Sequence, residues 1–428
     1  MSHLALLLRT CKHNLILLAI ALLTLWGTPT VCESALYIDI VSSPRKLPIA
    51  IMDLSGPYGA TISEIVAKDL EFTGLFDVIP SSKHIERPNQ KFSRDNWSGI
   101  GIEAVLKGEV TVDDKVSVLI KFYDVFEGKT ILEKKYTAGR NLLRPLAHSI
   151  ANDLYKKVTG REGVFRTRMA YVTLEEGQFH LNVSDWDGGR KRVLRSINST
   201  LYSPRWHWGG KNLIYSALED NKWAIRQLNL TSLDDTSVLE MEGTNLAGSY
   251  FPNGDRFAFS STKYGTSDVF VYYTGKKKIT RLTRDLSIEV SPSISPDGKQ
   301  IIFVSDRGGS PQIYTMDKFG YNRARLTYEG NYNTSPAWSP KGDIITFSGR
   351  YEGVNQIFTM WPDGSGKRML TKEGNNEEPT FSPDGRYIAF TSDRDGEKAL
   401  YIMRANGDGQ NRITPQGVRA FSPRWSPK

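Results

Sequence analysis

The C-terminal part of the chain repeats itself every 43 or 44 residues, and that period constrains its fold more than any other feature. A turn motif marks each copy: Ser295-Pro296-Asp297-Gly298, Ser339-Pro340-Lys341-Gly342 and Ser382-Pro383-Asp384-Gly385. Phe251-Pro252-Asn253-Gly254 is a degenerate copy, and His207-Trp208-Gly209-Gly210 a weaker one. Proline pre-sets φ at the first corner, Asp or Asn tolerates the second, and glycine takes the left-handed exit, so the motif reads as a hairpin turn.

Three further columns keep the same register. An aromatic follows each turn (Tyr171, Tyr215, Phe259, Phe303, Phe347, Phe390). An aliphatic comes next (Leu181, Ile225, Val269, Ile313, Ile357, Leu400), and then Leu194, Val238, Leu282, Leu326, Leu370 and Ile413. Each sits in a short alternating run, the pattern of a half-buried strand. A unit of this length with four short strands has the size of a propeller blade. The inner strand of each blade is expected before its turn: residues 203–206, 247–250, 291–294, 335–338 and 378–381. A sixth such segment, Ser422-Pro423-Arg424-Trp425, comes last, whereas the first repeat, from about Val164, has none. The surplus matches the deficit, so the C-terminal strand is expected to complete the first blade and close a six-bladed ring with no free sheet edge there.

Residues 35–160 have a different rhythm. Gly59 to Leu75 and Asn141 to Thr159 carry apolar residues at helical spacing. Between them, residues 103–110, 116–126 and 129–136 alternate as strands. The fold class expected is therefore an α/β N-terminal domain, residues 35–160, followed by an all-β six-bladed propeller, residues 161–428, with residues 161–167 as the joint. Residues 1–34 read as a signal peptide. Arg9 and Lys12 precede an apolar run of 12 residues, Leu15 to Trp26, which is too short to span a bilayer. Small residues at Cys32 and Ser34 place cleavage after Ser34; Val31 is too large for a lipobox at Cys32, and an uncleaved anchor is the alternative. Both cysteines, Cys11 and Cys32, leave with that segment, and the formal charge of +8 falls to +7 with Arg9, Lys12 and Glu33. So small an excess, spread along the chain, points to solubility rather than nucleic-acid binding.

Catalytic signatures are missing. The chain has no HExxH, CxxC, Walker loop or GxSxG pattern, and His84, His148, His180 and His207 fall in different elements. The Asp-Gly pairs lack EF-hand spacing and keep the repeat register, so they read as turns rather than calcium loops. Asp306 and Asp393 read as loop caps. No enzyme activity, cofactor or metal is expected. Two rival classes are a propeller hydrolase or lyase with a small channel site, and a carbohydrate-binding propeller using Trp223 and Trp361.

The signal segment, small α/β domain and repeated Ser-Pro turns together resemble the TolB family of the Tol-Pal system. The likeness extends to residues 160–171 (GREGVFRTRMAY) and residues 101–105 (GIEAV). It implies a monomeric periplasmic adaptor that binds the lipoprotein Pal through the propeller and TolA through the mature N-terminus. It also implies a part in outer-membrane integrity and in constriction of that membrane at division, with membranes met only through partners. The segment matching the TolA-binding region is residues 35–46, within which Leu36, Tyr37, Ile38, Asp39 and Ile40 alternate as if to add a strand to a partner's sheet. Pro44-Arg45-Lys46 stands where the family pattern has a small acidic stretch.

For the Pal site, strand alternation puts the loops leading into each inner strand on one face with the loops joining strands two and three. Residues 241–248, 284–292, 328–336, 372–379 and 415–423 hold seven acids (Glu242, Asp285, Glu289, Glu329, Glu373, Glu377, Glu378) against three bases (Arg284, Lys372, Arg419), and 196–204 is uncharged at its rim. Such a rim would attract a basic partner. Asn245, Glu289, Asn333 and Glu377, just ahead of the inner strands, are the expected contacts.

Overall fold

A computed structural model describes residues 45–428. The N-terminal domain is built from β1 (Leu47–Ile51), α1 (Gly59–Phe72), β2 (Phe76–Val78), α2 (Arg94–Ser98), β3 (Ala104–Val112), β4 (Val116–Asp124), β5 (Lys129–Ala138) and α3 (Leu143–Thr159). Its sheet runs β2-β1-β3-β4-β5, with β1 parallel to both neighbours and β3, β4 and β5 antiparallel. The alternation in β4 buries Val116, Val118, Ile120 and Phe122 on one face. The two long helices pack side by side, burying Ile62, Val66 and Leu70 of α1 and Leu146, Ile150 and Leu154 of α3.

Two elements depart from the sequence reading. The first helix stops at Phe72 rather than Leu75, because the Thr73 hydroxyl donates to the Leu70 carbonyl at 2.6 Å and Gly74 turns out with φ of 73°. The central strand β1 was not foreseen, since Pro48 lies inside it and proline argues against a central strand.

The propeller consists of six four-stranded antiparallel sheets. The inner strands of blades II to VI are Leu201–Trp206, Asn245–Tyr250, Glu289–Ile294, Asn333–Trp338 and Asn376–Phe381. Blade I takes its inner strand from the C-terminal Arg419–Trp425, which pairs with Arg168–Glu175 in the register Ala420 to Thr173 and Trp425 to Met169. The Ala420 amide donates to the Lys398 carbonyl of blade VI at 2.7 Å, and the Trp206 indole of blade II donates to the Arg424 carbonyl at 2.8 Å. The strand is therefore joined to blades on both sides. The aromatic and first aliphatic columns are wholly in the core. In the Ser-Pro-Asp-Gly turn, Gly298 takes φ of 69° and its amide donates to the Ser295 carbonyl at 2.8 Å; the Asp297 carboxylate accepts from the Ser295 hydroxyl and the Lys299 amide.

In five of the six blades the inner strand begins earlier than its Ser-Pro or Glu-Pro dipeptide. The residue before proline adopts φ of 55° at Ser203, 56° at Ser291, 52° at Ser335, 56° at Glu378 and 55° at Ser422. At each of these bulges the pairing register shifts by the extra residue and the ladder resumes upstream.

Candidate docking face and domain joint

Antiparallel blades send their turns alternately to two faces. The turns joining strands one to two and three to four meet the N-terminal domain around blades VI and I. Phe72 packs on Tyr387 and Trp186 at ring-centroid distances of 4.9 and 4.7 Å, and Arg386 lies over the Tyr155 ring at 5.1 Å. The other face carries the loops from strand two to three and from strand four into the next blade.

On that face the expected contact residues turn inward. Asn245, Glu289 and Asn333 are fully buried as the first residues of their inner strands. The Asn245 amide donates to the Met241 carbonyl at 2.7 Å while its oxygen accepts from Ser261 at 2.7 Å. Asn333 donates to Gln312 at 2.9 Å and to the Glu329 carbonyl at 3.1 Å. The equivalent in blade VI is Asn376, one residue before Glu377, and it donates to Gln356 and the Glu373 carbonyl, both at 2.9 Å. These side chains tie each incoming loop to its blade, satisfying carbonyls that burial would otherwise leave unpaired. Asn245, Glu289 and Asn333 are thus engaged within their own blades rather than presented on the loop surface. Glu377 remains half-buried, bridged by Lys398 at 2.6 Å and Asn355 at 3.0 Å. Burial pushes its carboxyl up, but the bonds and charge of Lys398 together with the Asn375 and Asn355 bonds outweigh that and hold it below the usual range.

The acidic rim is also largely answered from within. Arg307 pairs with both Glu289 and Asp285, and Arg323 pairs with Asp285 at 2.5 Å. Burial raises the Glu289 carboxyl above its ordinary range. Glu378 faces the central channel rather than the rim. Beside exposed charges such as Glu242, Glu329 and Glu373, the face also exposes apolar side chains: Leu286 is 95% accessible, and Tyr264, Ile288, Tyr328, Tyr351 and Val354 lie along the arc from blade III to blade V. None of these apolar residues is among the contacts expected from the charge of the loops. Leu286, Ile288 and Tyr328 lie beside the polar residues Arg284, Asp285, Ser287, Glu329 and Asn331 of those loops, a pattern visible in the sequence. Asp306 and Asp393 do cap these loops, accepting from the Ile288 amide at 2.8 Å and the Asn375 amide at 2.7 Å.

Trp223 and Trp361, the candidate carbohydrate platform, stand near opposite ends of the third strands of different blades, Lys222–Asn229 and Val354–Met360. They therefore lie on opposite faces and form no shared surface. Among the described histidines, His148 joins a buried charged cluster. Its Nδ1 lies 2.7 Å from Asp69, and its Nε2 points at Asp185 and Asp187 at 3.7 and 4.0 Å. Arg144 pairs with both latter residues and Arg190 with Asp185. Burial pushes the Asp69 carboxyl up to about 6. Burial opposes a charge on His148, but Asp69, Asp187 and Asp185 outweigh it and raise its pKa. Three acidic side chains facing two guanidiniums and the His148 ring make an ion network that spans the joint between α1, α3 and blade I.

The signal segment and residues 36–40 lie outside the described residues. Among the described residues, no helix is long and apolar enough to cross a membrane.

Comparison with known proteins matches both parts of the chain. The family described as TolB beta propeller domain matches residues 155–428, and the TolB amino-terminal domain family matches residues 36–131. The chain is 33% identical over 294 residues to the Tol-Pal system protein TolB of Anaeromyxobacter sp. (strain K), covering 64% of this chain and 66% of that protein. It is 31% identical over 231 residues to the protein of the same name from Nitrosomonas europaea, covering 53% and 54%. The matched stretches span less than two thirds of these curated relatives. Among solved structures, TolB from Acinetobacter baumannii superposes with a TM-score of 0.82 at 26% identity, covering 90% of this chain and 97% of that one. Neither matching family description names a catalytic activity.

Proposed function

The chain belongs to the TolB family, which is not a family of enzymes, and from that premise we propose that it is a periplasmic adaptor of the Tol-Pal system. It holds the lipoprotein Pal on the propeller face opposite the N-terminal domain, and it engages TolA through Leu36, Tyr37, Ile38, Asp39 and Ile40. In this role it supports outer-membrane integrity and constriction at division. The observation that carries the reading is the free loop face of blades III to V. Exposed apolar side chains, with Leu286 at 95%, stand there on loops whose bases are locked by Asn333, Asn376 and the Glu289–Arg307 pair. A rigid apolar patch rimmed by charge is the usual make-up of a protein-docking surface. Asn245, Glu289 and Asn333 contribute by holding these loops, and Glu377 lies at the patch's edge.

The TolA half of the reading rests on the alternating segment that precedes β1. Among the described residues, the five strands of the domain's sheet begin at Leu47 or later. Deleting residues 35–43 is expected to abolish TolA binding while leaving Pal affinity and melting temperature nearly unchanged. A large drop in melting temperature would overturn this, because it would make those residues part of the core.

A further inference from the structure

The six inner strands line a central channel, and their sequences compare position by position. At the bulge and two residues beyond, they carry Ser203 and Arg205, Ala247 and Ser249, Ser291 and Ser293, Ser335 and Ala337, Glu378 and Thr380, and Ser422 and Arg424. Small side chains are the rule. Three adjacent blades break it, with Glu378 in blade VI, Arg424 in blade I and Arg205 in blade II. All three line a cavity of about 580 Å³ in the channel, together with Tyr202.

The charges in this cluster do not cancel. Glu378 is occupied by neighbours other than arginine: it accepts from the Ser422 amide at 2.8 Å, the Ser422 hydroxyl at 2.9 Å and the Tyr202 hydroxyl. The hydrogen bonds of the two guanidiniums go to main-chain carbonyls, Arg205 to Pro204 at 2.9 Å and Arg424 to Pro423 at 2.6 Å and Glu378 at 3.4 Å. Among the described residues neither forms an ion pair. Each guanidinium has five N–H donors in a planar fork, so most of this donor capacity is unspent. Burial lowers the pKa of both arginines, and Arg424 further disfavours the charge on Arg205. Two half-buried cations against one engaged carboxylate leave a surplus of one positive charge in a confined, partly desolvated space, where a counter-charge gains most.

We infer that the channel binds a small oxyanion, a carboxylate or a phosphate, between Arg205 and Arg424. The fork geometry of guanidinium matches both groups, and the Ser249 and Ser293 hydroxyls of the next blades supply further donors. The lining includes Pro252, Pro296, Pro340 and Pro383 of the one-to-two turns, so the cavity opens away from the proposed docking face. The inference therefore stands or falls independently of Pal binding.

The test is isothermal titration of the chain with succinate and, separately, with inorganic phosphate, in chloride buffer at fixed ionic strength. Saturable one-to-one binding of either anion is expected. Arg205→Gln should weaken it at least about tenfold, the equivalent of one charge-assisted hydrogen bond. Arg424→Gln should act alike; should that change in the closing strand unfold the protein, Arg205→Gln decides alone. Binding of succinate only assigns a carboxylate ligand, and of phosphate only a phosphoryl one. Failure of both anions to bind the parent, or equal binding by Arg205→Gln, would overturn the inference.

Discussion

Replacing Trp425 by alanine tests whether the last strand closes the ring. Trp425 is only 6% exposed, its indole N–H donates to the Thr167 hydroxyl at 2.6 Å, and its ring stacks near Tyr387 at 6.3 Å. Truncating a buried tryptophan typically costs ~3–5 kcal/mol through lost burial and the cavity left behind. The indole bond adds ~1 kcal/mol at most, because Thr167 keeps its bond to the Val164 carbonyl at 2.5 Å. A loss of about 4 kcal/mol is therefore expected in urea unfolding with an unchanged slope. The control is Trp361→Ala, 58% exposed, for which less than about 1 kcal/mol is expected. If Trp425→Ala behaved like that control, the strand would be a peripheral tail and blade I would lack its inner strand.

Two further outcomes are open to direct measurement. His148 has its pKa raised in the folded chain by Asp69, Asp187 and Asp185, so its contribution is fully present below its unfolded value of ~6.5 and is lost as pH rises through the folded value. Melting temperature should accordingly decline above neutrality in the parent more steeply than in His148→Gln; parallel profiles would show that the imidazole is not charged at the joint. Mass analysis of the protein recovered from the periplasm should give Ala35 as the first residue, and an intact Met1 or a lipid on Cys32 would contradict that.

The propeller was legible because each blade repeats the same steric problem, and its solutions recur at one period. The destination of the last strand was legible from bookkeeping of inner segments alone. The sequence reading placed the inner-strand starts two or three residues late, since Ser-Pro looks like a beginning. In the structure, the left-handed residue before proline forms a bulge, and the strand continues upstream through it. That offset turned buried strand residues such as Asn245 and Asn333 into apparent loop residues. Glu377 was chosen one position beyond its column, where the repeat shortens to 43 residues and Asn376 is the true equivalent. The two Ser-Pro-Arg-Trp copies were in view as strands of neighbouring blades, but that both arginines line the channel without an acidic partner depends on side-chain packing that the repeat pattern does not carry. His148 gave no sign either, because its partners come from residues 69, 185 and 187.

The central claim is that this chain docks Pal on the loop face of blades III to V. Purified Pal should be titrated against the parent and against a Leu286→Lys, Tyr328→Lys double variant, both side chains being exposed and free of core packing. Saturable binding by the parent is expected, with a loss of at least ~2 kcal/mol in the variant, the scale of a docking hot spot, and with circular dichroism and melting unchanged. Equal affinity of the two proteins, across a salt series, would place Pal elsewhere on the molecule and refute docking on this face.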